Sequence, residues 1–255
     1  MRPVLRYFGG KFRLAPWIIS HFPQHKIYVE PFGGAASVLM QKPRSYAEIY
    51  NDLDDSVFSL FTCMRELDLS IGLRQVIEST PYSRREFELA HVYHPDPIEN
   101  ARRLIVRSFM GFGADSVTNI QSKTGFRSNS NRSGTTPAHD WINYPKNIPE
   151  FQKRLSGVVL ENKDAKEVML DHDSAETLHY VDPPYPHSTR RGGRYKHEMT
   201  DIEHKELVDF LLTLKGQVVV SGYASEIYEK LNWKKVSKKT FADGAKERTE
   251  VLWIK

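Results

Sequence analysis

The stretch of this chain best equipped for chemistry is Asp182-Pro183-Pro184-Tyr185, which follows the short apolar run Leu178-His179-Tyr180-Val181. An apolar run that stops abruptly at paired prolines reads as a buried strand, ended where a residue can no longer donate to a ladder. Asp182 then stands at the strand's carboxyl end. Open α/β sheets bind ligands just beyond those ends, so an acid, a rigid turn and an aromatic ring there describe a pocket wall. The Asp182 carboxylate and the Pro183 carbonyl are both acceptors and can take both hydrogens of one amino group while Tyr185 stacks on the ring that carries it. Taken alone, the tetrapeptide equally fits a turn capped by Asp182 with Tyr185 in the core, so the other motifs decide.

Those motifs come early in the chain. Tyr7-Phe8-Gly9-Gly10-Lys11 precedes a helix expected over Arg13 to Phe22. Paired glycines before a helix let backbone amides approach an anionic group, and Lys11 adds a positive charge there; a turn with a solvated lysine is the local alternative. Ile27 to Glu30 reads as a strand running into Pro31-Phe32-Gly33-Gly34-Ala35-Ala36-Ser37, with a helix expected from Val38. Strand, glycine turn and helix together suit a nucleotide-like ligand. A second strand, Tyr46 to Tyr50, ends in Asn51-Asp52, where an acid binds a ribose diol in doubly wound folds. Asp54 and Asp55 precede Val57, Leu60, Phe61 and Met64 at helical spacing and read as helix caps.

From about Leu60 to Ser156 the pattern changes to helices and polar loops. Asp96-Pro97 opens a helix with Ile98, Ala101, Ile105 and Phe109 as its buried stripe and Arg102, Arg103 and Arg107 on its polar face. Gly111 to Gly134 carries Lys123, Arg127 and Arg132 among Ser, Asn, Gln and Thr, a composition suited to phosphates and base edges, or to a merely solvated loop. Strands resume at Gly157 to Glu161, followed by Asn162-Lys163-Asp164. After the Leu178 to Asp182 strand, Thr200 and Glu203 form a capping box for a helix. A buried strand at Gln217 to Ser221, a helix at Ala224 to Leu231, and strands at Trp233 to Ser237 and Glu250 to Ile254 complete the chain. Lys238 to Thr249 reads as a basic, mobile hairpin loop.

The order therefore predicts an α/β fold in two parts: residues 1–59 and 157–255 form the sheet domain, and residues 60–156 form a helical, basic insertion. In 255 residues, 40% are hydrophobic and 27% charged, an ordinary globular balance. A net charge of +4 and a pI of about 9.0 permit a polyanionic partner. The one cysteine, Cys63, excludes an internal disulfide and a cysteine-based zinc cluster and fits a reducing cytoplasm. No metal is expected. Met1 to Arg6 has no long apolar stretch behind it, so neither a signal peptide nor a membrane span is expected.

On Tyr7 with Gly9-Gly10-Lys11, Glu30-Pro31-Phe32 with Gly34, Asn51-Asp52, Asp164, Asp182 to Tyr185 and the Arg248 to Ile254 strand, the chain resembles the Dam-type DNA adenine-N6 methyltransferases. The resemblance spans most of the chain in the right order. It implies a Rossmann-like mixed seven-stranded sheet with a C-terminal antiparallel hairpin and an inserted target-recognition domain. It also implies S-adenosylmethionine as cofactor, with Tyr7, Gly10 and Lys11 toward its methionine portion, Glu30, Phe32 and Gly34 in the turn beneath it, Asp52 on its ribose and Asp164 at its adenine edge. Asp182, Pro183, Pro184 and Tyr185 would hold a target adenine flipped from duplex DNA. Arg190, Arg191 and Arg194 would close over that nucleotide, while Arg102, Arg107, Lys123, Arg127 and Arg132 contact DNA. Ala36 departs from the family pattern, standing where many relatives have a second glycine. Cytosine N4 as target and an inactive DNA-binding homologue are the alternatives; a partner endonuclease is not specified.

Overall fold

The computed structural model describes residues 2–113, 117, 124–128, 135–189, 195–242 and 246–255. They divide into a sheet unit (Lys11–Leu53, Gly157–Gly193 and His197–Lys255) and a helical unit (Met1–Gly10, Asp54–Ser156 and Arg194–Lys196).

The sheet unit contains β1 (Ile27–Glu30), β2 (Ala47–Asn51), β3 (Val158–Glu161), β4 (Thr177–Val181), β5 (Gln217–Tyr223), β6 (Lys234–Ala242) and β7 (Lys246–Ile254), in the spatial order β3-β2-β1-β4-β5-β7-β6. The first five strands are parallel. β7 inserts between β5 and β6 and runs antiparallel to both. A parallel sheet is covered on both faces, so its central strands are apolar on both sides. Tyr28 and Val29 of β1, Leu178, Tyr180 and Val181 of β4, and Val218 to Val220 of β5 are accordingly all buried. The helix Asp201–Thr213, opened by the expected Thr200 and Glu203 capping box, lays Leu207, Val208 and Leu211 on Val181, Val218, Val220 and Trp253. After β3 the chain returns to the opposite side of β1 to form β4. Strand order thus reverses between β1 and β4, the position at which open α/β sheets bind ligands in a crevice beyond the strands' carboxyl ends.

Local structure departs from the sequence reading in four places. The first helix is only Ala15–Ile19, and the helix expected over Ala224 to Leu231 is only Glu226–Glu229. No helix begins at Val38: Ala36 has φ +51°, outside the helical region, and Pro43 follows before a second turn can form, so residues 37–41 are turns. The C-terminal hairpin is longer than expected, with the ladder running from Lys234 opposite Ile254 to Ala242 opposite Lys246. Once register is set, each added pair satisfies backbone groups whatever its side chains, so the basic stretch read as a loop continues as strand.

The helical unit is built around the helix Pro97–Met110, whose N-cap Asp96 accepts from the Glu99 amide at 2.7 Å. The helix Asp55–Arg65, capped by Asp54, packs against it and buries Val57, Leu60, Phe61 and Met64. That packing explains why the unit begins at Asp54 rather than at residue 60. Residues 4–6 also belong here, since Tyr144 Oη donates to the Val4 carbonyl at 2.8 Å and the Arg6 amide to Ser108 Oγ at 2.7 Å.

The Pro97–Met110 helix has no fully solvated polar face. Arg102 donates to both Glu99 carboxylate oxygens, at 2.6 and 2.7 Å, and to Glu86 at 2.7 Å. Arg107 is buried and donates to the Ala90 carbonyl at 2.6 Å. The neighbouring guanidinium groups hold the Glu99 carboxyl down at about 2. Arg102 and Arg107, expected to reach DNA, are therefore internal struts, because neighbouring segments cover this helix all round. Arg102→Ala should destabilise the protein by on the order of 3 kcal/mol, since it removes the guanidinium that pairs with Glu86 and leaves Glu99 with Arg103 alone. Urea unfolding showing wild-type stability would return Arg102 to a surface role.

Candidate active site

β4 delivers Asp182 to the crevice, and two neighbours fix the carboxylate. Ser221, on the adjacent β5, donates its hydroxyl to Asp182 Oδ1 at 2.8 Å. Ser221 has one proton to give, so the Tyr180 hydroxyl, 2.9 Å from Ser221 Oγ, is the donor in that second bond. Lys11 Nζ lies 2.9 Å from the same Oδ1. Lys11 is itself buried, and its ammonium sits 4.6 Å from the centre of the Tyr185 ring.

Tyr185 is 5% exposed, so it does not present the open stacking platform the sequence suggests. Its hydroxyl donates to Glu250 Oε1 at 2.5 Å, and its ring meets Tyr223 edge to face at 4.7 Å. The hydroxyl bond draws the ring inward. Glu250, on β7, also lies 3.8 Å from Lys11 Nζ. Burial pushes its carboxyl up to about 7, against the opposing effect of the Lys11 charge. Glu250 and Ser221 were not singled out from the sequence. An acid next to Val251, Leu252 and Trp253 was the available signal for Glu250; nothing local marks Ser221.

The other wall is the turn after β1. Gly33 lies so close to Tyr50 that a Cβ there would stand 2.0 Å from the ring, which makes glycine obligatory. Gly34, at φ +50°, donates its amide to Asp52 Oδ2 at 2.7 Å, while its carbonyl accepts from the Tyr50 hydroxyl at 2.6 Å. Asp52, at the end of β2, is thus locked onto the turn. Asn51 laces the neighbouring strand ends together, donating to the carbonyls of Pro31 (2.8 Å) and Lys163 (3.1 Å) and accepting the Lys163 amide (2.9 Å). Ala36, which stands where many relatives have a second glycine, is wholly covered by protein.

Glu30 is buried and accepts from the Tyr28 hydroxyl at 2.8 Å and the Leu39 amide at 3.0 Å. Phe32 is half-buried against the cluster around Val181 and Trp253. Asp164 caps the helix Ala165–Asp171 through the Lys166 amide at 2.8 Å. Pro183 is buried, and the chain between Asp182 and Tyr185 is trans throughout. In the helical unit, Tyr7 and Gly10 close a turn through the Gly10 amide and Tyr7 carbonyl at 3.0 Å. Arg127 is half-buried, its amide donating to the Met110 carbonyl and its carbonyl accepting from Tyr82. Lys123, Arg132, Arg190, Arg191 and Arg194 lie outside the described residues. Among the described residues no cluster of His, Cys, Asp or Glu could hold a metal, and no helix is long and apolar enough to cross a membrane.

An acid held rigidly at a strand end, opposite a glycine turn with a second acid, can accept from an amine beside a nucleotide-like ligand. The family model for D12 class N6 adenine-specific DNA methyltransferases matches residues 7–241. The chain belongs to this family. It is a methyltransferase whose substrate is DNA and whose target is the N6 amine of adenine, which sets aside the cytosine alternative. The reaction requires a methyl donor, and the match runs through both walls of the crevice.

The buried acids of this methyltransferase make its stability depend on pH. Burial raises the Glu30 carboxyl from an ordinary 4.5 to about 8. The folded protein therefore keeps a proton that the unfolded chain releases, and stability falls as pH rises through that window. Glu30→Gln keeps an acceptor for Tyr28 and Leu39 while removing the titration. Unfolding free energies measured at about pH 5 and about pH 8 should differ less in this variant than in the wild type; an unchanged difference would show that Glu30 is not the group responsible.

Proposed function

We propose that this methyltransferase uses S-adenosylmethionine as donor, bound over the Glu30 to Gly34 turn, and methylates an adenine held by Asp182 and the Pro183 carbonyl. The observation that carries the reading is the double anchoring of Asp182 Oδ1 by Ser221 and Lys11 at the topological switch point. With Oδ1 so occupied, Oδ2 is the oxygen that accepts a hydrogen of the target amine.

The donor set suits this cofactor. Asp52, half-exposed at the end of β2, offers a carboxylate to a ribose diol, and Asp164 lies at the head of the next crossover helix. When bound, S-adenosylmethionine supplies an electrophilic sulfonium methyl. Adenine's exocyclic nitrogen is a poor nucleophile because its lone pair is delocalised into the ring. Acceptance of its hydrogens by Asp182 and the Pro183 carbonyl favours tetrahedral nitrogen and frees that lone pair for in-line attack at the methyl carbon; the pair of the broken C–S bond would leave on the thioether, and the proton the nitrogen then loses would pass to Asp182. Positioning and preorganised charge then lower the barrier without a covalent enzyme intermediate. Within a duplex the amine is paired and stacked, so the base must be flipped out, at a cost of a few kcal/mol. We assign the segment bearing Lys123, Arg127 and Arg132, and the segment with Arg190, Arg191 and Arg194, to DNA phosphates and bases.

Asp182→Asn preserves shape and the Ser221 contact but loses charge, so methyl transfer should fall by about a hundredfold or more. Asp52→Ala should instead cost about 1.5 to 3 kcal/mol of cofactor affinity. Calorimetry with S-adenosylmethionine and a methyl-transfer assay on duplex DNA separate the two: wild-type transfer by Asp182→Asn, or unchanged affinity in Asp52→Ala, would overturn the respective assignment. Replacing Lys123, Arg127 and Arg132 together should flatten log affinity against log salt by roughly 0.9 for each lost phosphate contact. An unchanged slope and sequence preference would make that segment merely solvated.

A further inference from the structure

Glu250 stands opposite Tyr223 of β5 and Lys238 of β6 in the ladder. It is 2% exposed and is followed by the buried Val251, Leu252 and Trp253. A buried carboxylate costs far more than an apolar side chain of similar size unless partners compensate it. Its partners belong to the transfer site: the Tyr185 hydroxyl at 2.5 Å and Lys11 Nζ at 3.8 Å, both reached by Oε1. Lys11 therefore lies between two acids, closer to Asp182 at 2.9 Å.

We infer that Glu250 is a positioning residue for methyl transfer: it anchors Tyr185 through the hydroxyl and draws part of the Lys11 charge away from Asp182. The inference rests on the reading of Asp182 as acceptor of the target amine. An ammonium committed wholly to Asp182 would neutralise that carboxylate and weaken its pull on the amine hydrogen. Ionised Glu250 shares the ammonium and leaves Asp182 the stronger acceptor. Protonated Glu250 gives up that share while still accepting from Tyr185.

The rate of the chemical step should therefore rise with pH as Glu250 ionises. Among the described residues the charged or titratable groups near it are Lys11, Asp182, Tyr185 and Tyr180, with Tyr223 across the ladder on β5 and Lys238 on β6; Arg248 lies two residues before it on β7. Burial places the ionisation at about 7.

The test is single-turnover methyl transfer from S-adenosylmethionine to duplex DNA, from about pH 6 to about pH 8.5, for wild type, Glu250→Gln and Tyr185→Phe. Thermal unfolding and cofactor calorimetry accompany each variant. Glu250→Gln keeps the acceptor and the shape; it should fold, bind cofactor within about twofold of wild type, transfer about tenfold more slowly near pH 8, and lose the rising limb. Tyr185→Phe should keep that limb, because the shared ammonium remains. Wild-type rate and profile in Glu250→Gln would overturn the inference, as would a slowed variant that keeps the limb. Should Glu250→Gln not fold, the wild-type profile decides: a flat rate across this range overturns the inference. A wild-type protein that transfers no methyl to DNA would remove the reading beneath it and the inference too, whereas active wild type with an indifferent Glu250→Gln defeats the inference alone.

Discussion

The sheet unit turns on one buried cation. Lys11 Nζ stands 2.9 Å from Asp182, 3.8 Å from Glu250 and 4.6 Å from the Tyr185 ring centre, and these residues come from three remote parts of the chain. None of the charges is stable there alone, because desolvating an isolated ammonium or carboxylate costs several kcal/mol. Together they compensate one another, and the compensation demands geometry. β4 must end beside β5, β7 must insert next to β5, and Lys11 must reach in from before the first helix. The mixed end of the sheet is thus part of the site: with β7 elsewhere, Tyr185 and Lys11 would each lack their shared acceptor.

A second constraint shapes the opposite wall. The turn after β1 is held by amides and carbonyls paired to fixed side chains. Gly33 makes room for Tyr50, whose hydroxyl returns to the Gly34 carbonyl, and the Gly34 amide in turn holds Asp52. Asn51 ties this arrangement to the Lys163 segment after β3. The outcome is a preorganised wall that holds the Asp52 carboxylate in place; on the proposed assignment less binding free energy would go into ordering it when the cofactor binds.

In the helical unit, charge serves packing. Arg102 satisfies Glu99, Glu86 and Thr80 from within, and Arg107 caps the end of the helix Arg84–Leu89 through the Ala90 carbonyl. Basic residues in a DNA-modifying protein invite assignment to phosphates, yet a guanidinium whose donors are spent on internal acceptors has little left for a polyanion. On the proposed assignment, positive charge for DNA falls instead to the segments around residues 118–134 and 190–194, which carry basic residues beyond those used inside the unit.

The amino-acid sequence by itself determined what depends on neighbours along the chain. Paired prolines after an apolar run ended β4 just before Asp182, glycines marked the turn after β1, Asp96-Pro97 and Thr200 with Glu203 opened helices, and continuous apolar runs announced buried strands. Those signals carried the α/β class, the sheet-insertion-sheet order and most of the candidate site. Only the tertiary structure decided which residues meet. Periodicity reports that a side chain is buried, not whom it faces, so Glu250 looked like a strand terminus and Ser221 like filler until β5 and β7 set them beside Tyr185 and Asp182. The same limit applied to Arg102 and Arg107, because a charged helical stripe reads as solvated unless the covering segments are known. Tyr185, poised in the sequence between platform and core, was drawn inward by a carboxylate sixty-five residues away. Its burial follows from that bond, which strand order alone makes possible.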